Sequence, residues 1–483
     1  MDYYRQSRTP FATALETYSN LHMVPFHTPG HKLGLGASLY QQQLFHQSLQ
    51  LDLGLMYALD DLFEPESYIK EAQDLAADLY GAGHTFFSVN GTTACIQAMI
   101  LATVKEGDEI IIPREAHRSV IGGLVLSGAI PVYLPTHYSS TAQIPLGPAV
   151  EDVKAVIDGH PRSKAILLIN PSYYGVAGYV TDITTYAHAK GLVVLVDEAH
   201  GAHLPFHQEL PLPALRCGAD CVAQSTHKLA GSVTQTSMLH CHKDFKDIDA
   251  VSKAMAMLQS TSPNYLFLAS LDSARQQLAM DGYSLLDRTI TLAKSLRHQL
   301  NQIEGIYSFG REILDHTVVA GFDETKVTID FSGLGMPGIE AERLLRQEHI
   351  EVELVQGNHV LALITIGDST KSIQALVQAC QHIAAGRTVC RPVVATHERL
   401  PVSVMGISPR QAWNRESECI PFAHSNGRCV AETITYYPPG IPVLGAGEII
   451  TQEAMDYIYE KQKRGYRPNG ALDQTMATIR VLK

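Results

Sequence analysis

Asp197 and Lys228 are the residues from which a reaction can be built in this chain. Asp197 ends LVVLVD, an apolar, β-branched run too short for a buried helix, which predicts a strand covered on both faces of a parallel sheet. Lys228 follows ADCVAQS, a second short buried strand that leads through Thr226 and His227 to the turn at Ala230-Gly231. Parallel strands gather their carboxyl ends on one edge of a sheet, where open α/β folds bind ligands, so the carboxylate and the amine are expected to face one crevice. A desolvated lysine sheds its proton more readily than a free one, and its amine can then attack an aldehyde.

Pyridoxal phosphate (PLP) carries such an aldehyde and needs a carboxylate beside its ring nitrogen, because a protonated ring draws electrons better. That assigns the ring nitrogen to Asp197 and the aldehyde carbon to Lys228. The phosphate needs donors, and NGTT at 90–93 offers them. Gly91, Thr92 and Thr93 fall where a strand turns into a helix, so unpaired N–H groups, two hydroxyls and the positive helix end converge on an anion.

DEAHGAH at 197–203 followed by QSTHK at 224–228 resembles the active-site signature of the ornithine/lysine/arginine decarboxylase family, fold-type I PLP enzymes related to aspartate aminotransferase. HTPGHK (27–32), NGTTACIQAMI (90–100), EAHRSV (115–120), NPSYYGV (170–176), TSPNY (261–265) and YYPPGIPVLGAGE (436–448) match further family blocks in the family's order, so the resemblance covers nearly the whole chain. It implies decarboxylation of a basic L-amino acid with PLP as cofactor. Transamination or elimination is the alternative, because the torsion that selects the bond to be broken is not written in sequence.

The resemblance also distributes roles. Ser225 and His227 help bind the phosphate from the side opposite Gly91, Thr92 and Thr93. His117 stacks on the pyridine ring, and the small Ala199 lies under its other face. His200 is either a ligand or a supporting residue, and Lys228 and His227 are the candidates to return a proton. Thr261 and Ser262 of TSPNY lend hydroxyls to the phosphate of a partner subunit, so a two-fold homodimer or a higher homo-oligomer with shared sites is expected. Glu432 and Asp61 are the candidate carboxylates for the far end of the substrate. Two acceptors suit a planar guanidinium, which favours arginine to agmatine over lysine to cadaverine or ornithine to putrescine. The short chain is similar to biosynthetic members of the family, which implies polyamine synthesis.

The elements that must position these residues read as α/β. A helix is expected around Thr9–Asn20, then a loop broken by Pro and Gly in HMVPFHTPGHKLGLG, and helical spacing from Tyr68 to Tyr80. The strand FFSV turns into the helix ACIQAMILATV, and DEIIIP, AIPVYLP, AILLIN, LVVLVD and CVAQS follow with helical stretches between them. This alternation predicts a mostly parallel, doubly wound sheet. The expected divisions are an N-terminal arm (1–60), a large PLP-binding domain (61–295), a smaller α/β domain (296–390) containing KVTIDF, EAERLLRQEH and VLALITIG, and a C-terminal region (391–483) ending in the helix EAMDYIYEKQKRGY.

At 483 residues, 45% hydrophobic and 18% charged, the chain is globular and too long for one compact core. A net charge of -12 without a run of Lys and Arg argues against nucleic acid and tolerates cationic substrates and amine products. No apolar run has signal-peptide character or membrane-spanning length, so a cytoplasmic enzyme without a membrane partner is expected. Eight scattered cysteines, of which Cys217 and Cys221 are the closest pair, suit reduced thiols better than disulfides or structural zinc.

Three other motifs compete. DEAH lacks the G-x-x-x-x-G-K-[ST] loop of a nucleotide hydrolase. Asp197, His200 and His203, or His27 and His31, suggest a metal, but HTPGH cannot hold a helical register and a metal leaves Lys228 unexplained, so no metal is expected. GLGMPG (333–338) follows a strand, precedes a helix and is trailed by Glu351 and Glu353, which makes a dinucleotide the runner-up cofactor. Against it, Pro337 removes an N–H at the helix start.

Overall fold

The structure, a computed structural model, describes residues 2–390, 400–402, 404–436 and 441–483. Tyr437, Pro438, Pro439 and Gly440 of the YYPPG block, and residues 391–399 of the polar stretch before it, lie outside the described residues. The chain divides into two compact units interleaved in sequence. One comprises 1–102, 195–208 and 212–286, the other 103–194, 209–211 and 287–483.

Seven strands carry the α/β core: β1 (His84–Ser88), β2 (Glu109–Pro113), β3 (Ile130–Leu134), β4 (Ser163–Ile169), β5 (Val193–Asp197), β6 (Cys221–Gln224) and β7 (Ser237–Cys241). In the first unit the order is β1, β7, β6, β5. β5 and β6 are parallel, with Asp197 opposite Ala223, while β7 runs antiparallel to both β6 and β1. In the second unit β2 lies between β4 and β3 and all three are parallel. Pairing is therefore mostly parallel, as the apolar runs predicted, because these strands are covered on both faces.

β7 was not among the predicted strands. Its residues SMLHC are all buried, yet two of the five are polar, and buried polar groups persist only where partners meet them.

The first unit also fixes the arm. The helix Pro10–Ser19 buries Phe11 and Leu15, and Asp272 Oδ2 accepts the N–H groups of Phe11 (3.0 Å) and Ala12 (3.3 Å). Arg275, fully buried, donates to the Gln6 carbonyl, the Arg8 carbonyl and Asp272 Oδ1. Together they tie the arm to the helix Tyr265–Leu300.

In the second unit, the strands Lys326–Asp330, His359–Leu363 and Leu354–Gln356 form a small sheet in that order, packed with the helices Gly338–Gln347 and Thr370–Ala384. Its C-terminal part gathers a separate core around Phe422, Ile434 and Ile458, with the helix Gln452–Lys463.

GLGMPG lies here, and packing explains its glycines. A Cβ on Gly333 would come within 2.7 Å of the Gly305 carbonyl oxygen, and one on Gly338 within 2.5 Å of that of His359. The Gly338 N–H already donates to the Gly357 carbonyl (2.8 Å). Protein backbone occupies the approach that a pyrophosphate would need.

Among the described residues, no helix is long and apolar enough to cross a membrane.

Candidate active site

Asp197 closes β5 and is only 6% exposed. Its carboxylate accepts one hydrogen bond among the described residues, from the Ala199 N–H at 3.1 Å. Burial raises its pKa, opposed by that N–H and by the charge of Lys228. The predicted pair is therefore brought together electrostatically on neighbouring parallel strands.

Lys228 sits on the short helix Thr226–Leu229 that β6 runs into, and its Nζ lies 2.8 Å from His200 Nε2. Which of the two nitrogens donates across this contact follows the tautomer of the ring and the protonation of the amine. Sequence left His200 between two roles; here it holds the lysine directly. His227 Nδ1 meets the Thr236 carbonyl at 2.8 Å, which fixes the ring through a backbone bond.

The NGTT turn forms as expected. Gly91 has φ +70, a value that suits glycine, and a Cβ placed there meets no atom within 4 Å, which leaves an open approach to the start of the helix Gly91–Thr103. The two threonines separate. Thr93 is exposed, while Thr92 is buried and its Oγ1 contacts Ser225 Oγ at 2.5 Å and Ser237 Oγ at 2.7 Å. Ser237, on the unpredicted strand, was missed, because only the pairing of β7 with β1 and β6 brings it to the turn.

Glu198 was also passed over as a site residue. Successive strand residues point to opposite faces, so it turns away from Asp197 and is fully buried. It accepts from the Ala214 N–H and Gln224 Nε2 at 2.7 Å each, Gln224 Oε1 meets His240 Nε2 at 3.1 Å, and His240 Nδ1 meets Thr85 Oγ1 at 2.8 Å. Burial pushes the His240 pKa down to about 3, so this chain of side chains behind the strand ends stays uncharged at His240.

Asp61 and Asp60 divide their work. Asp60 accepts from the N–H groups of Asp61, Glu66, Ser67, Ile69 and Lys70 and so organises the start of the helix Tyr68–Tyr80. Asp61, half-buried, accepts only from the Phe63 N–H at 2.9 Å among the described residues. Tyr265 of TSPNY, fully buried, donates to the Asp60 carbonyl at 2.8 Å, whereas Thr261 and Ser262 of the same block are exposed.

His117 and Glu432 belong to the second unit. His117 caps the helix Arg118–Ser127, and its Nδ1 accepts from the Ser119 N–H at 3.2 Å, so a neutral ring carries its proton on Nε2. The loop before it is held by a buried pair that sequence did not single out. Arg114 donates through both terminal nitrogens to Glu448 (2.9 and 3.1 Å), and Tyr133 adds its hydroxyl at 2.8 Å. Glu432 is half-buried, and its two oxygens accept from the N–H groups of Leu472 (2.8 Å) and Arg480 (3.0 Å).

Residues 9–372 match the Orn/Lys/Arg decarboxylase major domain, and residues 395–467 match the C-terminal domain of the same family. The chain is 42% identical to an arginine decarboxylase of Bacillus subtilis over 485 aligned positions, covering 99% of this chain and 98% of that one. It is 25% identical to a lysine decarboxylase of Pseudomonas aeruginosa, covering 93% of this chain and 75% of that one. A lysine decarboxylase of Francisella novicida, at 20% identity, shares the fold with a TM-score of 0.85 over 100% of this chain and 82% of its own. With the major-domain match spanning residues 9–372 and a 42% identical relative covered over 98% of its length, the chain belongs to the Orn/Lys/Arg decarboxylase family.

Proposed function

We propose that this chain is a PLP-dependent arginine decarboxylase that forms agmatine for polyamine synthesis in the cytoplasm. The observation that carries the cofactor is the Asp197–Lys228 pair. A buried carboxylate with a single hydrogen bond suits a cationic ring nitrogen, and an amine held by His200 stands on the adjoining strand end. The open approach at Gly91 and the buried hydroxyls of Thr92 and Ser225 fit a phosphate.

Bound there, PLP supplies an electron-withdrawing ring that takes up the electron pair left when the substrate carboxylate departs as CO2. Asp197 keeps a proton on the ring nitrogen. Lys228 Nζ would hold the aldehyde carbon of the bound cofactor, and His200 Nε2, 2.8 Å away, would orient Nζ. By family resemblance, His117 and Ala199 would each contact the ring of the bound cofactor. Lys228 and His227 remain the two groups proposed to return a proton to the substrate carbon.

Arginine is preferred because a full-length relative at 42% identity is an arginine decarboxylase, whereas the lysine decarboxylase match is at 25%. Asp61 and Glu432 are each proposed as an acceptor for the guanidinium: Asp61 Oδ2 accepts no hydrogen bond among the described residues, and each Glu432 oxygen keeps a lone pair beyond its backbone bond. The active form is proposed to be a homodimer in which the exposed Thr261 and Ser262 serve the partner's phosphate. The cytoplasmic assignment is supported by eight free cysteines, including the buried Cys221 and Cys241, where the Cys221 thiol donates to the Cys241 sulfur at 3.7 Å without a disulfide.

The test is product analysis with arginine, lysine and ornithine offered together. Agmatine should form with a kcat/KM at least about tenfold above the competing reactions. Lys228→Ala should abolish turnover in a folded protein, and Asp61→Ala or Glu432→Ala should raise KM for arginine far more than it weakens PLP binding. Lysine outcompeting arginine overturns the substrate assignment, and turnover retained without Lys228 overturns the cofactor reading.

A further inference from the structure

We propose that Ser237 is a positioning residue that orders a relay of three hydroxyl protons and aims the last of them, on Ser225, at the cofactor phosphate. The inference rests on the PLP reading above and names a residue that the family signatures do not include.

The order of protons follows from counting donors and acceptors. Thr92, Ser225 and Ser237 are 7%, 2% and 0% exposed, so bulk water does not complete their hydrogen bonding. Among the described residues, Thr92 Oγ1 is the only hydrogen-bond partner of the Ser237 hydroxyl, at 2.7 Å. A buried O–H pointed anywhere else would have no acceptor, which buried donors avoid. Ser237 therefore donates to Thr92.

Thr92 has two hydroxyl neighbours and one proton. Having accepted from Ser237, it has its own proton to give to Ser225, 2.5 Å away, when Ser225 donates onward. Ser225 Oγ, having accepted, keeps a proton that has no acceptor among the described residues. Ser225, like Ser237, has Thr92 as its one hydroxyl partner among the described residues, so the bound anion fixes the order: with Ser225 donating to a phosphate at the Gly91 turn, Thr92 donates to Ser225 and Ser237 to Thr92. An anion held by the Gly91 turn supplies the missing acceptor, and a charged acceptor strengthens the donors behind it.

The sheet makes this possible. Ser237 opens β7 directly opposite Ser88, the last residue of β1, and β1 leads straight into the Gly91 turn. β6 pairs with the other side of β7 and leads into Ser225. One antiparallel strand thus sets a hydroxyl beneath both phosphate-binding segments.

The test compares PLP with pyridoxal, which carries the same ring and aldehyde without phosphate, by absorbance titration of the cofactor-free protein. Ser237→Ala should weaken PLP binding by about tenfold, because the hydroxyls that donate to the charged phosphate lose the bond that directs them, and leave pyridoxal binding within about twofold. Inorganic phosphate should compete against PLP less well in the variant than in wild type. Ser237→Cys keeps the volume with a weaker donor and should fall between the two, which guards against a cavity effect in the alanine variant. PLP and pyridoxal affinities that fall together in both variants, or that do not change, overturn the relay alone. A wild-type protein that takes up neither aldehyde overturns the cofactor reading and the relay with it.

Discussion

Asp197 is buried at the end of β5, where the charged form is penalised, and without a ring cation it is a liability to the fold. Its folded pKa is raised, so the folded protein binds the proton more tightly than the unfolded chain does. That contribution to stability is complete below the usual carboxylate range and is lost as pH rises through the raised value. Asp197→Asn keeps the shape and removes the titration. The cofactor-free variant should therefore melt higher than wild type near neutral pH, by ~1–3 °C, with the gap closing towards pH ~4. The same variant should lose at least ~100-fold in turnover, because an amide cannot keep the ring nitrogen protonated. Calorimetry of the cofactor-free proteins from acid to neutral pH checks the first claim; a variant that melts lower at neutral pH refutes it. Stability given up for function is common where a buried charge awaits its ligand.

At the scale of elements, the end of β2 depends on a residue far away in sequence. Arg114 and Glu448 are 8% and 1% exposed at their side chains, and Arg114 also donates to the Val443 carbonyl at 2.8 Å. Removing one partner strands the other charge without water, which costs about 3–5 kcal/mol. Glu448→Ala should lower the free energy of unfolding by that amount in urea denaturation, and Glu448→Gln by less because the amide oxygen still accepts. Loss of under about 1 kcal/mol in the alanine variant would mean that the pair is solvated and does not hold the loop to His117. β7 makes a related point, since its polar residues are excluded by pattern alone but satisfied in place by Thr92, Thr85 and Gln224.

At the scale of the whole molecule, the arm exposes Phe26 (95%), Leu35 (84%) and Leu39 (77%) within a short span. Apolar side chains clustered in this way mark an association surface, and a second copy of the chain is the occupant that would also bring Thr261 and Ser262 to a neighbouring site. Mixing subunits tests it. A Lys228→Ala chain and a Thr261→Ala/Ser262→Ala chain are each expected to be inactive or nearly so alone. A heterodimer rebuilds one native site from the intact lysine of one chain and the intact hydroxyls of the other. Random pairing should restore roughly one quarter of wild-type activity. No recovery on co-refolding would place Thr261 and Ser262 outside the partner's site.

The sequence by itself determined what lies within a few residues of a strand end. Asp197 after LVVLV, Lys228 after CVAQS and the Gly91 turn after β1 were legible because burial on both faces leaves a contiguous apolar signal and the following residues must emerge at the edge. Contacts across the sheet were decided only by tertiary structure. His200 on Lys228, Ser237 on Thr92 and Arg114 on Glu448 depend on strand order and register, and a slip of one residue turns a side chain to the opposite face. GLGMPG shows the same limit from the other side. Glycines that admit a phosphate and glycines that admit another backbone have the same pattern, and only the neighbouring Gly305 and His359 carbonyls tell them apart.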